Sequence, residues 1–376
     1  MKPLRTLSLA ILLVGLVCSP SATQAPTGLV MDAKVPSTAL EGNPLGDAAA
    51  RNVSIYLPPS YRQGERRYPV LYLLHGYGGA NRTFQNKGWV DAPSLADKAF
   101  AQLAANEFLI VMPDARNLYG GSFYTDSAAA GDWETFIVRE LVNYIDTEYR
   151  TVRDPAARGL AGHSMGGYAA LKLAMKHPNV FGAVYALSPC CMDWGKDLSL
   201  ENPAWKDTLS FRSVEDFHAA RTALRNLRDG DPNGIRRFLS IVYLAMAAAW
   251  SPAPAKAPLF VDLPVEPAED GWRPVPGVRA QWSANLILPM TPQYHGNLRR
   301  LRAIALDVGR QEEFDHILQG CRAFSRLLGE YRIEHTFEEY DGDHGNRIPQ
   351  RVEQKLIPFF VQAFAATKKK AKPATQ

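Results

Sequence analysis

The stretch Ala161-Gly162-His163-Ser164-Met165-Gly166-Gly167 holds the side chain best suited to attack a carbonyl carbon. A serine flanked by glycines at this spacing reads as a nucleophile elbow, the tight strand-to-helix turn that lifts a hydroxyl above the end of a parallel sheet. Gly162 and Gly166 lack a Cβ, so the backbone can pass close to itself there. A serine hydroxyl is a poor nucleophile at neutral pH, and a neutral imidazole must take its proton as it attacks. Among the eight histidines, His344 is the candidate base, in the loop Asp341-Gly342-Asp343-His344-Gly345 beyond a predicted strand. His163 sits inside the elbow, where a base is not expected to reach back, and His75 opens a glycine-rich turn where it is expected to pack or hydrogen-bond. His177, His218, His295, His316 and His335 fall on predicted helices, a strand start or the stretch between, and read as lying away from the strand ends. The imidazolium formed in the step needs a buried carboxylate to fix its tautomer and stabilise its charge. Glu312, in the loop Arg310-Gln311-Glu312-Glu313, is the first choice, with Asp307 next and Glu313 behind it; Asp307 falls inside a predicted strand. The backbone N–H groups of Tyr77 and Met165 are the candidate oxyanion donors, each worth on the order of 3 kcal/mol in the barrier.

The elements that must position these groups follow from periodicity. Residues 51–57 alternate as a half-buried strand should. Residues 68–74 (YPVLYLL) and 108–112 (FLIVM) are near-continuous apolar runs, the mark of strands covered on both faces. Strands are also expected over 156–161, 181–187, 303–308 and 334–340, and helices over 94–106, 134–149, 168–176 and 314–332. The turn His75-Gly76-Tyr77-Gly78-Gly79 follows a central strand, where free backbone N–H groups face the ligand crevice. The loop 117–126 (NLYGGSFYTD) suits either a cleft wall or a plain connection. This alternation predicts a doubly wound, mostly parallel sheet with right-handed crossovers. From about residue 195 to 300 the rhythm breaks, with proline-rich pieces and one strongly apolar helix at 238–250, which reads as an inserted, largely helical cap lying partly over the cleft. Trp194, Trp205, Trp250, Trp272 and Trp282 fall in or beside it, mostly as core residues with one or two available to line a pocket.

Lys2 and Arg5 precede an apolar run at 7–17, followed by small residues, the layout of a signal peptide over 1–25 and of a secreted or periplasmic protein. Its removal takes Lys2 and Arg5 with it, so the net charge of +4 falls to +2, a balance that favours no nucleic-acid partner. The run is too short for a membrane anchor. The lysines near the end read as a basic, disordered tail over 367–376. Cys190, Cys191 and Cys321 do not make a disulfide framework or a zinc spacing, and Cys190-Cys191 read as two packed thiols rather than a vicinal bridge.

The segments 68–79 (YPVLYLLHGYGG), 131–150 (GDWETFIVRELVNYIDTEYR), 159–167 (GLAGHSMGG) and 309–314 together resemble the esterase D family of α/β-hydrolases, which includes S-formylglutathione hydrolases, feruloyl esterases, enterochelin esterases and mycolyltransferases. The resemblance covers about residues 50–195 and 300–365 and implies one α/β-hydrolase domain over 26–366. By position it implies Ser164 as nucleophile, Glu312 as acid, His344 as base, and Tyr77 and Met165 as oxyanion donors. The acid is Asp in many members and Glu in some. The implied activity is hydrolysis of a small-molecule or glycan-linked carboxylic ester through an acyl-serine, with no metal or cofactor and no stable membrane insertion after signal cleavage. An acyltransferase of the mycolyltransferase type would use the same residues, and a non-catalytic binding protein would be expected to show drift in them. The long insertion resembles none of the named subfamilies closely and implies no substrate.

Overall fold

The computed structural model describes residues 27–102, 106–227, 231–269 and 271–370. The expected signal peptide lies outside them. Eight strands form the central sheet: β1 (Leu29–Val35), β2 (Arg51–Leu57), β3 (Val70–Leu74), β4 (Leu109–Pro113), β5 (Arg158–His163), β6 (Ala183–Leu187), β7 (Ala303–Gly309) and β8 (Thr336–Tyr340). Their spatial order is β1-β2-β4-β3-β5-β6-β7-β8. The pairs from β4 through β8 are parallel, whereas β1 with β2 and β2 with β4 are antiparallel. This is the doubly wound, mostly parallel sheet that the alternation of strands and helices predicts, in the α/β-hydrolase arrangement that the resemblance implies. The chain winds outward in one direction from β3 to β4 and in the other from β3 to β5, so the β3 and β5 ends flank the reversal point where such sheets hold ligands.

The strands are buried on both faces because each face is covered. In β3, Val70, Tyr72 and Leu74 enter one core and Leu71 and Leu73 the other, as the two-residue side-chain period requires. One layer contains the composite helix α2 at 133–148, with π-helical geometry over Phe136–Leu141, and α3 (Met165–Lys176). The other contains α1 (Ala92–Gln102) and the C-terminal helix α10 at 348–370. That last helix runs to Lys370, into the stretch read from the sequence as the start of the tail. Strand β2 departs from the expected alternation: only Asn52 is exposed. The reason is β1, which the sequence reading did not anticipate and which pairs with β2 along its whole length, from Leu29 opposite Leu57 to Val35 opposite Arg51.

Between β6 and β7 the described residues form five helices: α4 (Ala204–Ser210), α5 (Val214–Arg225), α6 (Gly234–Trp250), α7 (Pro276–Ser283) and α8 (Ile287–Leu298). A two-stranded hairpin of Val265–Ala268 and Gly271–Pro274 stands among them. A Ser213–Asp216 capping box starts α5, the two side chains satisfying each other's backbone N–H groups. Helix α6 is the apolar element read from the sequence, and every residue from Leu239 to Trp250 is buried. Among the described residues no helix is long and apolar enough to cross a membrane.

Candidate active site

Ser164 stands between the last residue of β5 and the first of α3, at φ 57° and ψ −118°. A non-glycine residue held there is strained, and the surrounding backbone fixes it: the Ser164 N–H donates to the Leu187 carbonyl at 3.0 Å, and its own carbonyl accepts from Tyr168 and Cys190. The glycines are a steric demand of this turn. A Cβ on Gly162 would stand 2.4 Å from the Gly166 carbonyl carbon, and one on Gly166 would stand 2.0 Å from the Leu74 oxygen.

Three loops converge on the serine. The turn after β3 brings Gly76 against it, so close that a Cβ on Gly76 would touch the Ser164 Cβ at 3.4 Å. The turn is held by a bond from the Gly78 N–H to the Gly120 carbonyl at 2.9 Å and by His75. The His75 ring is buried, with Nδ1 2.8 Å from the Gly76 carbonyl and Nε2 accepting from the Ala115 N–H at 2.9 Å. These partners assign a neutral ring, and burial lowers its pKa to about 4. No hydrogen bond takes up the Tyr77 or Met165 N–H among the described residues, and both residues border the same pocket as Ser164. Met165 N–H is left over because the first turn of a helix has no internal acceptors.

The other loops follow β7 and β8. They are sewn together by Arg310 N–H to the Tyr340 carbonyl and Gln311 N–H to the Gly342 carbonyl, both at 2.9 Å. Gly309 permits the approach, since a Cβ there would lie 2.2 Å from the Gly342 oxygen. This brings His344 Nδ1 to 2.8 Å from Glu312 Oε2, whose side chain is fully buried. Burial raises the Glu312 carboxyl to about 7 and lowers the His344 imidazole to about 4, because each charged form loses water. Between those values the pair holds one proton. The elbow reaches the same loop: His163 Nε2 lies 2.7 Å from the His344 carbonyl, and the two rings are 4.7 Å apart. His163 therefore holds the backbone of His344. No hydrogen bond joins Ser164 Oγ to His344 among the described residues; such bonds commonly close only around a bound substrate.

The other acids lie elsewhere. Asp307 Oδ2 accepts from Tyr185 Oη at 2.8 Å and from Arg351 Nε at 2.7 Å, inside the sheet layer. Glu313 accepts from the His344 backbone N–H at 3.2 Å rather than from its ring.

The pocket at Ser164 encloses about 430 Å³, counting space open at its mouth. Helix α6 forms one wall with Phe238, Leu239, Val242, Tyr243 and Met246, and Phe123 of the loop 117–126 lines another part. None of the five tryptophans singled out from the sequence lines it. Trp205, Trp250 and Trp282 pack together behind α6 instead, with the Trp205 ring stacked 4.0 Å from Tyr243. The reading of His316 as remote from the strand ends is also corrected: near the start of α9 (Asp315–Glu330), it lines the same pocket. Cys190 lines it too, and its sulfur lies 2.7 Å from that of Cys191, both as free thiols. Among the described residues no cluster of His, Cys, Asp and Glu has the makings of a metal site.

Residues 48–231, which include Tyr77, Ser164 and Met165, match the family model described as putative esterase. An esterase of Mycobacterium tuberculosis is 34% identical over 135 residues, 35% of this chain and 27% of that protein. An S-formylglutathione hydrolase of Paracoccus denitrificans is 30% identical over 183 residues, 41% of this chain and 60% of that one. The matched stretch thus spans about a quarter to three-fifths of these relatives. Among solved structures, a ferulic acid esterase superposes with a TM-score of 0.57 at 22% identity, covering 90% of this chain and 99% of the other. An S-formylglutathione hydrolase from Agrobacterium tumefaciens superposes with a TM-score of 0.56 at 16% identity, covering 92% and 99%. At these identities the superpositions speak to the fold, which they share with the chain almost end to end. In its segment 48–231 the chain is thus similar to the putative esterase family, and its sheet has the α/β-hydrolase fold.

Proposed function

We propose that the protein is a serine carboxylic-ester hydrolase that works through an acyl-serine intermediate, with Ser164 as nucleophile, His344 as base and Glu312 as its orienting acid. The observation that carries this reading is the strained turn at Ser164, with the Glu312–His344 pair held beside it through His163. His344 Nε2 takes the Ser164 proton as Oγ attacks the ester carbon, and Glu312 holds the opposite nitrogen and stabilises the imidazolium. The tetrahedral oxyanion is received by the Tyr77 and Met165 N–H groups. His344 then returns the proton to the departing alcohol, and water, activated by the same imidazole, releases the acid. The esterase and S-formylglutathione hydrolase names of the relatives support ester or thioester cleavage. The apolar wall of α6 supports a substrate with an apolar portion.

A series of p-nitrophenyl esters of increasing acyl length, with methyl ferulate, tests this on the wild-type protein and on Ser164→Ala. Hydrolysis that vanishes with Ser164 is the expected result; a folded wild-type protein inert on every ester overturns it. We also propose that the chain is exported, on the strength of Lys2, Arg5 and the apolar run at 7–17. N-terminal sequencing of protein recovered outside the cytoplasm, and its absence there on deletion of residues 1–25, would bear this out.

A further inference from the structure

The pocket beside Ser164 is lined almost wholly by apolar side chains, and its polar atoms are nearly all committed. Tyr77 Oη donates to the Tyr119 carbonyl, Tyr243 Oη to the Asp197 carbonyl, and the Cys190 thiol lies against Cys191. Two polar side-chain atoms of the lining are left: Ser164 Oγ and His316 Nε2. The His316 side chain is 6% exposed, and its Nε2 is buried without a hydrogen-bond partner among the described residues. Its other nitrogen is tightly held. Asp197 Oδ2 accepts from the His316 backbone N–H at 2.9 Å and stands 2.7 Å from the ring Nδ1. Asp197 is itself fixed, its carbonyl accepting from Tyr243 Oη and from Asn202 Nδ2. A second carboxylate–imidazole pair therefore stands in the pocket wall with one ring nitrogen unpartnered, and the Phe314 ring lies 6.2 Å from the His316 ring and 5.3 Å from that of His344.

We propose that His316 is a specificity-determining residue, and that the esters this protein takes carry a hydroxyl group that hydrogen-bonds His316 Nε2 inside the apolar pocket. The inference rests on the ester-hydrolase reading of the site. With the Nδ1 proton given to Asp197, Nε2 offers a lone pair in the neutral ring and an N–H in the imidazolium. A hydroxyl both donates and accepts, so it satisfies either state. A wholly apolar group filling the pocket would leave Nε2 buried and unpaired, which is costly.

The test compares matched esters that differ by one hydroxyl: methyl ω-hydroxyalkanoates of four to eight carbons against the parent alkanoates, and ω-hydroxyalkyl acetates against the parent alkyl acetates. For wild type, His316→Leu and His316→Gln, the ratio of kcat/KM for the hydroxylated and parent esters is measured. That ratio is expected to fall by about ten- to a hundredfold in His316→Leu for at least one chain length, and to be largely restored in His316→Gln. An unchanged ratio at every length in both sets, or an equal loss on both members of every pair, overturns the proposal while leaving the hydrolase reading standing. Calorimetric binding of the same pairs to Ser164→Ala, with and without His316→Leu, gives an arm independent of turnover. A hydroxyl preference there that disappears with His316 supports the proposal even if no ester is cleaved. Equal binding of both members to Ser164→Ala overturns it.

Discussion

At the residue scale, Ser164→Ala removes the proposed attacking atom, and kcat is expected to fall by on the order of 10⁶, to background. Glu312 and Asp307 separate by environment. Glu312→Gln should lower kcat by about 10² to 10⁴ with the fold intact, because His344 loses the partner that sets its tautomer. Asp307→Ala should leave kcat within a few-fold and instead lower the melting temperature, since its partners are Tyr185 and Arg351. A collapse of kcat in Asp307→Ala at unchanged stability would transfer the acid's role to it. The pH profile follows from the pair. With burial raising Glu312 to about 7 and lowering His344 to about 4, the reactive form, carboxylate beside neutral imidazole, appears only when the pair's last proton leaves. For an uncharged ester, kcat/KM should therefore rise with pH to a plateau above about 7 and fall in acid. A profile flat down to pH 5 would mean that Glu312 is ionised throughout.

At the scale of elements, the proposed function divides the work between the elbow, which would fix the chemistry, and the wall of α6, which would size the substrate. The Phe238 ring stands 5.8 Å from Tyr77 and 5.5 Å from Phe314, across the pocket beside the serine. Phe238→Ala opens this side, so the preference along an acyl-length series should move toward longer chains. The ratio of kcat/KM for long over short esters is expected to rise by about tenfold; an unchanged ladder would place the acyl group elsewhere. The elbow is intolerant for a different reason. Strand β5 and helix α3 cross so closely that the Cβ added by Gly166→Ala meets main-chain atoms of β3, which have no rotamer with which to yield.

At the scale of the whole molecule, α10 is tied to the sheet by Arg351, whose guanidinium reaches both Asp307 and Glu338. The Asp307 side chain has no exposure to solvent. Removing its cation leaves a buried carboxylate uncompensated, so Arg351→Met should destabilise the fold by about 3–5 kcal/mol in denaturant unfolding. Adding Asp307→Leu should recover much of that loss, because the charge that needed a partner is gone. A double variant as unstable as the sum of the singles would show that the two residues act independently. Much of this architecture is legible in local sequence. The continuous apolar runs of β3 and β4, the Gly-x-Ser-x-Gly spacing of the elbow, and the loops carrying Glu312 and His344 announce themselves, because side-chain period and turn sterics act over a few residues. The short edge strand β1 has no such signature and exists by pairing with β2. The tryptophans could not be sorted between core and pocket by type alone, since both environments welcome an aromatic ring. Sequence likewise ranked Glu312, Asp307 and Glu313 without bringing any of them to an imidazole; only the approach of the loops after β7 and β8 decided that His344 Nδ1 meets Glu312. The place of His316 in the pocket wall is not legible in the sequence, because the partner that holds its ring, Asp197, is 119 residues away along the chain. Contacts at that separation are set by how helices and loops pack over the sheet, and packing leaves no fixed spacing in the chain to read.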